Sequence, residues 1–225
     1  MNKNAYSTTD FSVRRSAQMG IFMNQKAFFQ LSYGLYVAAA KADSKMNGCI
    51  INTVTQVTDD PKQVIIAINK QNLTCDLIQK SGMASISVLS ESAPFSLFQR
   101  FGFQSGRNID KFVDIPFQLT GQELPYLKEH TTAYLDCKIT HSQDLGTHML
   151  FTALVTDADV ISDEKPMTYS YYHEFVKPKP VSEPASKIKG WRCIVCGYVY
   201  EGEELPPDFI CPWCKHGVSD FEKIV

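Results

Sequence analysis

Four thiols near the end of the chain stand in two Cys-x-x-Cys pairs, Cys193 with Cys196 and Cys211 with Cys214, a pattern that can close a tetrahedral cage around a metal ion. Each pair can fold into a tight knuckle whose backbone N–H groups point at the sulfurs. Gly197, directly after Cys196, supplies the permissive backbone such a knuckle wants. Fourteen residues separate Cys196 from Cys211, slightly under the usual zinc-ribbon gap, and four thiolates suit zinc or iron. The surrounding residues argue for iron: Trp191, Tyr198, Tyr200, Phe209, Trp213 and Phe221 put six aromatics into about 35 residues. An apolar shell excludes water from an iron–thiolate centre and tunes its potential, whereas a structural zinc needs no such coat.

At these residues the segment resembles rubredoxin: Cys193-Ile194-Val195-Cys196-Gly197-Tyr198, then Cys211-Pro212-Trp213-Cys214, then the closing Asp220-Phe221-Glu222. It is similar to the short-loop kind, with Lys215 standing where many rubredoxins have glycine.

The rest of the chain must support this module. At 225 residues and 44% hydrophobic content it has room for one or two domains and a proper core in the larger. A formal charge of −2, from 22 basic and 24 acidic residues, gives no basic field for nucleic acid. No apolar run at the N-terminus reads as a signal-peptide core and none later reads as a membrane span, so a cytoplasmic location is expected. Of the seven cysteines, Cys49, Cys75 and Cys137 lie scattered without pairwise spacing, as reduced thiols do in a reducing compartment.

Residues 1–27 read as a polar arm. From Phe28 the chain becomes strand-like: FFQLSYGLYVAAA, a charged turn at KADSKMNG, CIINTVTQV, the turn DDP, then QVIIAIN, a pattern that predicts a β-meander. A helix is predicted over residues 73–81, closed by Gly82, followed by the strand MASISVL and a helical turn led by Ser92 and Pro94. Two strands, TTAYLDCKITHS and THMLFTALVTDADVI, follow, hinged at residues 143–146. Six or so strands with short helices favour a closed antiparallel barrel, a mostly β fold, over a doubly wound sheet. Residues 177–190 carry three prolines and few apolar residues, which predicts an extended linker between a barrel domain at 28–176 and a metal domain at 191–225.

Within the first domain no Gly-x-Gly-x-x-Gly or phosphate loop is present, so a nicotinamide cofactor must be bound by other means. The most chemical-looking stretch runs from Asn69 and Lys70 to Thr74, where a strand gives way to a helix. A helix N-terminus, an ammonium and a hydroxyl are what a phosphate monoester needs, although an N-cap and a solvated lysine explain the same letters. The strand NGCIINTVTQ sets amide and hydroxyl groups beside small apolar ones. That suits the edge of a planar heterocycle and equally a half-buried strand.

Several motifs occur together in order: Gly34, Asn47-Gly48-Cys49-Ile50-Ile51-Asn52-Thr53, Asn69-Lys70, Phe101-Gly102 leading into Ser105-Gly106-Arg107-Asn108-Ile109-Asp110-Lys111-Phe112, and Gly146-Thr147-His148-Met149-Leu150-Phe151. With them residues 28–175 resemble the flavin reductase-like, FMN-binding split barrel, and the whole chain is similar to the high-molecular-weight rubredoxins. The resemblance implies a homodimer with FMN near the subunit interface. The ring would be held by Gly48, Cys49, Ile50, Asn52 and Thr53, and the phosphate by Asn69, Lys70 and Thr74. His148 matches a histidine that lies near nicotinamide or flavin in related reductases, and a packed strand histidine reads the same. Cys49 is expected as a small core thiol facing the flavin. Tyr171, Tyr172 and His173 are expected to pack, and the FTALV after His148 lacks a Gly-Glu or Gly-Lys pair common in relatives. The implied route runs from NAD(P)H through FMN to iron and on to an acceptor such as a flavodiiron oxygen or nitric oxide reductase. Its rivals are a reductase that releases free reduced flavin, and a flavin-binding sensor whose metal ribbon is structural zinc.

Overall fold

The computed structural model describes residues 27, 30–178, 190–194, 196–214 and 216–224; Ser32–Val225 forms one compact unit. The predicted N-terminal arm and nearly all of the predicted linker lie outside the described residues, as does Lys215. Gly190, read as the end of the linker, belongs instead to the first strand of the metal domain.

Seven antiparallel strands make the main sheet: β1 (Tyr36–Ala42), β2 (Lys45–Ile51), β3 (Val54–Asp59), β4 (Lys62–Asn69), β5 (Met83–Leu89), and, further along the chain, β8 (Thr131–Asp144) and β9 (His148–Val160). Their order across the sheet is β2-β1-β5-β8-β9-β4-β3. The β-meander read from the sequence is therefore wrong in one respect. β1–β2 and β3–β4 are hairpins, but the consecutive strands β2 and β3 lie at opposite ends of the hydrogen-bonded order. The chain leaves the ladder at Asn52 and Thr53, where the Thr53 hydroxyl donates to the Ala67 carbonyl at 2.9 Å. The barrel is thus split between β2 and β3, joined there by chain rather than by a ladder, and is not the fully closed one that strand density suggested.

The charged turn read over KADSKMNG shrinks to Asp43 and Ser44, since β2 already starts at Lys45. Gln143 and Asp144, read as turn, are the end of β8. A short hairpin of β6 (Phe117–Leu119) and β7 (Pro125–Leu127) went unread because three residues are too few to show a period. The helix α1 (Leu73–Ser81) and its cap Gly82 fall where the sequence puts them. The helical turn behind Pro94 is α2 (Phe95–Phe98), which runs on as a π turn over Gln99–Phe103. A matching short helix, α3 (Tyr169–Tyr171), continues as a π turn over Tyr172–Val176.

Strand β1 is buried on both faces, so its alternation feeds two cores. Ala38 and Ala40 join Cys49, Ile66, Ile78 and Phe151 in one cluster, into which α1 packs. Val37 and Ala39 join Leu89, Phe98, Phe101 and Tyr172 in the other. The C-terminal module is a three-stranded sheet, β11 (Val199–Glu201), β10 (Gly190–Cys193) and β12 (Phe221–Ile224), with β10 in the middle. Among the described residues, no helix is long and apolar enough to cross a membrane.

Candidate functional site

The four predicted metal ligands converge. All four Cys residues are buried, and their sulfurs lie within 4.8 Å of one another. Cys193 Sγ and Cys214 Sγ are 3.5 Å apart, as are Cys196 Sγ and Cys211 Sγ. A tetrahedral cage with metal–sulfur bonds of about 2.3 Å has edges of about 3.8 Å, so the donors fit a four-thiolate ion with little adjustment. The knuckles are built by short backbone bonds: Gly197 N–H donates to the Cys193 carbonyl, Cys193 N–H to the Tyr198 carbonyl, and Cys211 N–H to the His216 carbonyl, each at 2.8 Å. Gly197 sits at φ 81°, in the left-handed region that a side chain disfavours. Burial pushes the Cys196 thiol up to about 12 and the Cys214 thiol well above its ordinary value. The N–H groups of Tyr198 and His216 act in the opposite direction by donating to those sulfurs. Bonds of this kind favour the thiolates a metal requires.

All six predicted aromatics pack on the cage, and the barrel adds a seventh, Phe103. Phe209 meets Phe221 edge-on at 5.5 Å and Tyr198 meets Trp213 at 5.4 Å. Phe103 could not be found from the sequence, because it lies far upstream of the cysteines in a segment with no metal motif.

The predicted flavin residues fall along the seam of the barrel. Gly48 and Ile50 are on β2, and Asn52 and Thr53 form the crossing to β3. Asn69 ends β4 and pairs across the sheet with His148 at the start of β9. Lys70 N–H donates to the Thr147 carbonyl at 3.0 Å, and the Thr147 hydroxyl meets His148 Nδ1 at 2.8 Å. Asn69, Lys70 and His148 are thus neighbours at one end of the sheet. Lys70 is half-exposed there and paired with Asp144 at 2.6 Å. The α1 N-cap, Asn72, makes no side-chain capping bond, and Arg107 reaches the first turn of α1 through Asp76 at 2.7 Å.

Two predicted contacts point elsewhere. Thr74 is fully buried and its hydroxyl accepts from Asn47 Nδ2 at 2.9 Å. Cys49 lies in the core cluster with Ala38 and Ile78. Burial raises the Cys49 thiol above its ordinary value, with the Thr74 hydroxyl and the Lys111 charge acting the other way. The Asn47 amide also abuts Gly106, where any side chain would collide with it.

The sequence reading missed Lys111. It is 1% exposed, and its ammonium donates to the carbonyls of Gly48 and Phe101, each at 3.0 Å. The predicted flavin strand is therefore braced from behind by a buried cation. Ile50 lines a groove of about 280 Å³ with Gly102, Phe103 and Tyr172. A second groove, about 430 Å³, is lined by Arg192, Cys196 and Trp213, and the two share His173 and Lys177. Tyr172 is buried and packs against Phe98 with ring centres 4.3 Å apart, whereas His173 is exposed and meets the rings of Tyr169 and Tyr172 edge-on.

Residues 28–177 match the family described as flavin reductase like domain, which is two thirds of the chain. The chain belongs to the flavin reductase-like family. Residues 191–222 match a rubrerythrin, rubredoxin-like domain. Over 90% of its length the chain is 39% identical to the whole of a protein named high molecular weight rubredoxin from Moorella thermoacetica. Over 70% it is 34% identical to a ferric-chelate reductase (NAD(P)H) from Archaeoglobus fulgidus, covering 93% of that protein. Among solved structures, an NADH:FAD oxidoreductase of Streptomyces globisporus in complex with NAD and FAD fragments shares the fold at a TM-score of 0.59. The identity is 21%, covering 70% of this chain and 92% of that one. A protein described as a putative flavin reductase from Haemophilus somnus does so at 0.58 and 19%, covering 64% and 90%. The chain is accordingly an oxidoreductase with a flavin-binding split barrel followed by a four-cysteine iron site.

Proposed function

We propose that this protein passes electrons from NAD(P)H, through FMN on the barrel, to iron held by Cys193, Cys196, Cys211 and Cys214. From there they go to a separate one-electron acceptor such as a flavodiiron oxygen or nitric oxide reductase. The observation that carries the reading is the metal cage itself: four sulfurs at tetrahedral spacing, sealed in an apolar shell to which the barrel contributes Phe103. A shell of that kind suits a centre whose potential matters. When bound, the flavin accepts a two-electron hydride and gives up electrons singly, which lets a nicotinamide serve an iron–thiolate centre.

The chain's residues divide the remaining work. Gly48, Ile50, Asn52 and Thr53 hold the ring at the seam, with Cys49 behind them in the core. Asn69, Lys70 and the N-terminus of α1 hold the phosphate, and the bond from Asn47 to Thr74 ties the first turn of α1 to β2. His148, which pairs with Asn69 across the sheet, meets the nicotinamide. The working unit is a homodimer of barrels, residues 28–176, each joined by a linker at 177–189 to its metal domain at 190–225. The name and full-length match of the Moorella thermoacetica relative support the route, and the ferric-chelate reductase supports the nicotinamide donor.

The test is an absorption spectrum of the purified protein followed by anaerobic titration with NADH and NADPH. Flavin and ferric–thiolate bands should both be present, and both should bleach on adding donor. Stoichiometric zinc in iron-replete expression would overturn the reading in favour of a structural ribbon.

A further inference from the structure

Residues 95–104 of the barrel touch both ends of this path. Toward the flavin strand, Gly102 lies against Ile50, where an added Cβ would sit 3.4 Å from Ile50 Cγ1. The carbonyl of Phe101 shares the Lys111 ammonium with that of Gly48. Toward the metal, Gln104 Nε2 donates to the carbonyl of the ligand Cys214 at 2.8 Å. Gln99 Nε2 donates to the Trp213 carbonyl and, at 3.4 Å, to that of Pro212. Phe95 meets Trp213 edge-on with ring centres 6.2 Å apart and meets Phe103 at 6.1 Å, and Phe103 itself packs on the cage.

A knuckle that turns N–H groups toward its sulfurs turns carbonyls outward, and those outward carbonyls are what the two glutamines hold. A short π turn is also the kind of helix distortion that recurs at functional sites, because its extra residue re-aims the side chains that follow. We propose that this turn is the protein's internal electron port: it docks the second cysteine knuckle on the barrel of the same chain and carries electrons from β2 to iron across Gly102 and Phe103. The inference rests on the flavin-to-iron reading above. Each nicotinamide oxidised releases one proton to the medium, and its two electrons reduce two ferric ions to ferrous, one after the other. The single iron of a chain is therefore emptied by the external acceptor between the two transfers. A small dock, two glutamine side chains beside a few aromatic rings, suits a contact that must hold during transfer without fusing the two modules.

The full-length, flavin- and iron-loaded protein tests this with two readouts. In nuclear magnetic resonance spectra, backbone amides of residues 99–104 should be broadened by ferric iron and sharp in the zinc-substituted protein. The Gln99→Ala/Gln104→Ala double variant should recover sharp signals in the ferric form. In stopped-flow mixing with NADH or NADPH, iron bleaching in the wild type should trail flavin bleaching at a rate independent of protein concentration. In the double variant that step should slow by roughly thirtyfold, the weight on the docked population of one net neutral hydrogen bond for each glutamine, the Gln99 amide being shared between two carbonyls. Amides 99–104 that ignore the iron would overturn the proposal. So would an iron step that rises with protein concentration or is unchanged in the variant. A protein whose flavin or iron never bleaches overturns instead the function on which the port rests.

Discussion

Lys111 offers a test of the barrel in which the burial of one charge sets a pH dependence. Burial lowers the ammonium from the usual 10.5 to about 8, with the neighbouring Cys49 acting weakly the other way. Between those values the unfolded chain binds the proton that the folded chain has released, so stability rises with pH through that window. From the two values, the gain is about 2 kcal/mol between pH 7 and 9.5 and about 3 kcal/mol once pH exceeds the unfolded value. Lys111→Met keeps the stem and removes the charge. It also takes a donor from the carbonyls of Gly48 and Phe101, a loss of about 1–3 kcal/mol at each buried acceptor. Because relief of the buried charge offsets that loss, the difference at a single pH is not diagnostic and its slope is. Urea unfolding of both proteins at matched flavin and iron, from pH 7 to 9.5, should show the wild type gaining about 2 kcal/mol on the variant. Thiols and tyrosines away from Lys111 titrate equally in both and cancel, and Cys49, whose thiol the Lys111 charge draws down, is taken out of the comparison by making it in a Cys49→Ala background. Parallel curves would refute the reasoning, since they would mean that Lys111 carries the same proton whether or not the chain is folded.

Cys196→Ser should remove the iron charge-transfer bands while leaving the flavin spectrum intact, and visible spectra with metal analysis check it. Lys70→Ala should weaken FMN by about one to two decades more than riboflavin, the weight of a charge-assisted contact; equal losses by calorimetry would place the phosphate elsewhere. Asp144→Ala should tighten FMN only slightly, because the Lys70 ion pair is solvent-exposed. Deleting residues 179–225 should preserve flavin reduction by nicotinamide and abolish most electron delivery to a one-electron partner, measured as acceptor reduction under anaerobic conditions; undiminished delivery would show that the metal domain is not the outlet.

The parts legible in the sequence are those written in neighbouring residues. Two Cys-x-x-Cys pairs, Gly197 after the first, and the α1 stretch ending at Gly82 each signal themselves within a few positions. Alternation announced the long strands, yet it could not say which strand pairs with which. CIINTVTQV reads as one strand, and only the fold shows it broken at Asn52 so that its halves feed opposite edges. Lys111 was illegible for a different reason: lysines are mostly solvated, and nothing near it in sequence reveals two carbonyls waiting in the interior. Gln99, Phe103 and Gln104 matter through Trp213 and Cys214, more than a hundred positions away.

The seam between β2 and β3 also bears on how the barrel breathes. Among the described residues, strands β5, β8 and β9 are each laddered on both sides, whereas β2 and β3 each have a single ladder partner. Opening there breaks no ladder between the two, since the bonds between Thr53 and Ala67 continue the β3–β4 pairing. Amides bordering the seam should therefore exchange with solvent by local excursions well below the free energy of global unfolding, while those of β5 and β8 wait for the whole domain. A ring bound between the two edges would act as a clasp, and the slowing of exchange in β2 on adding flavin would measure how much of the closed barrel is the cofactor's doing.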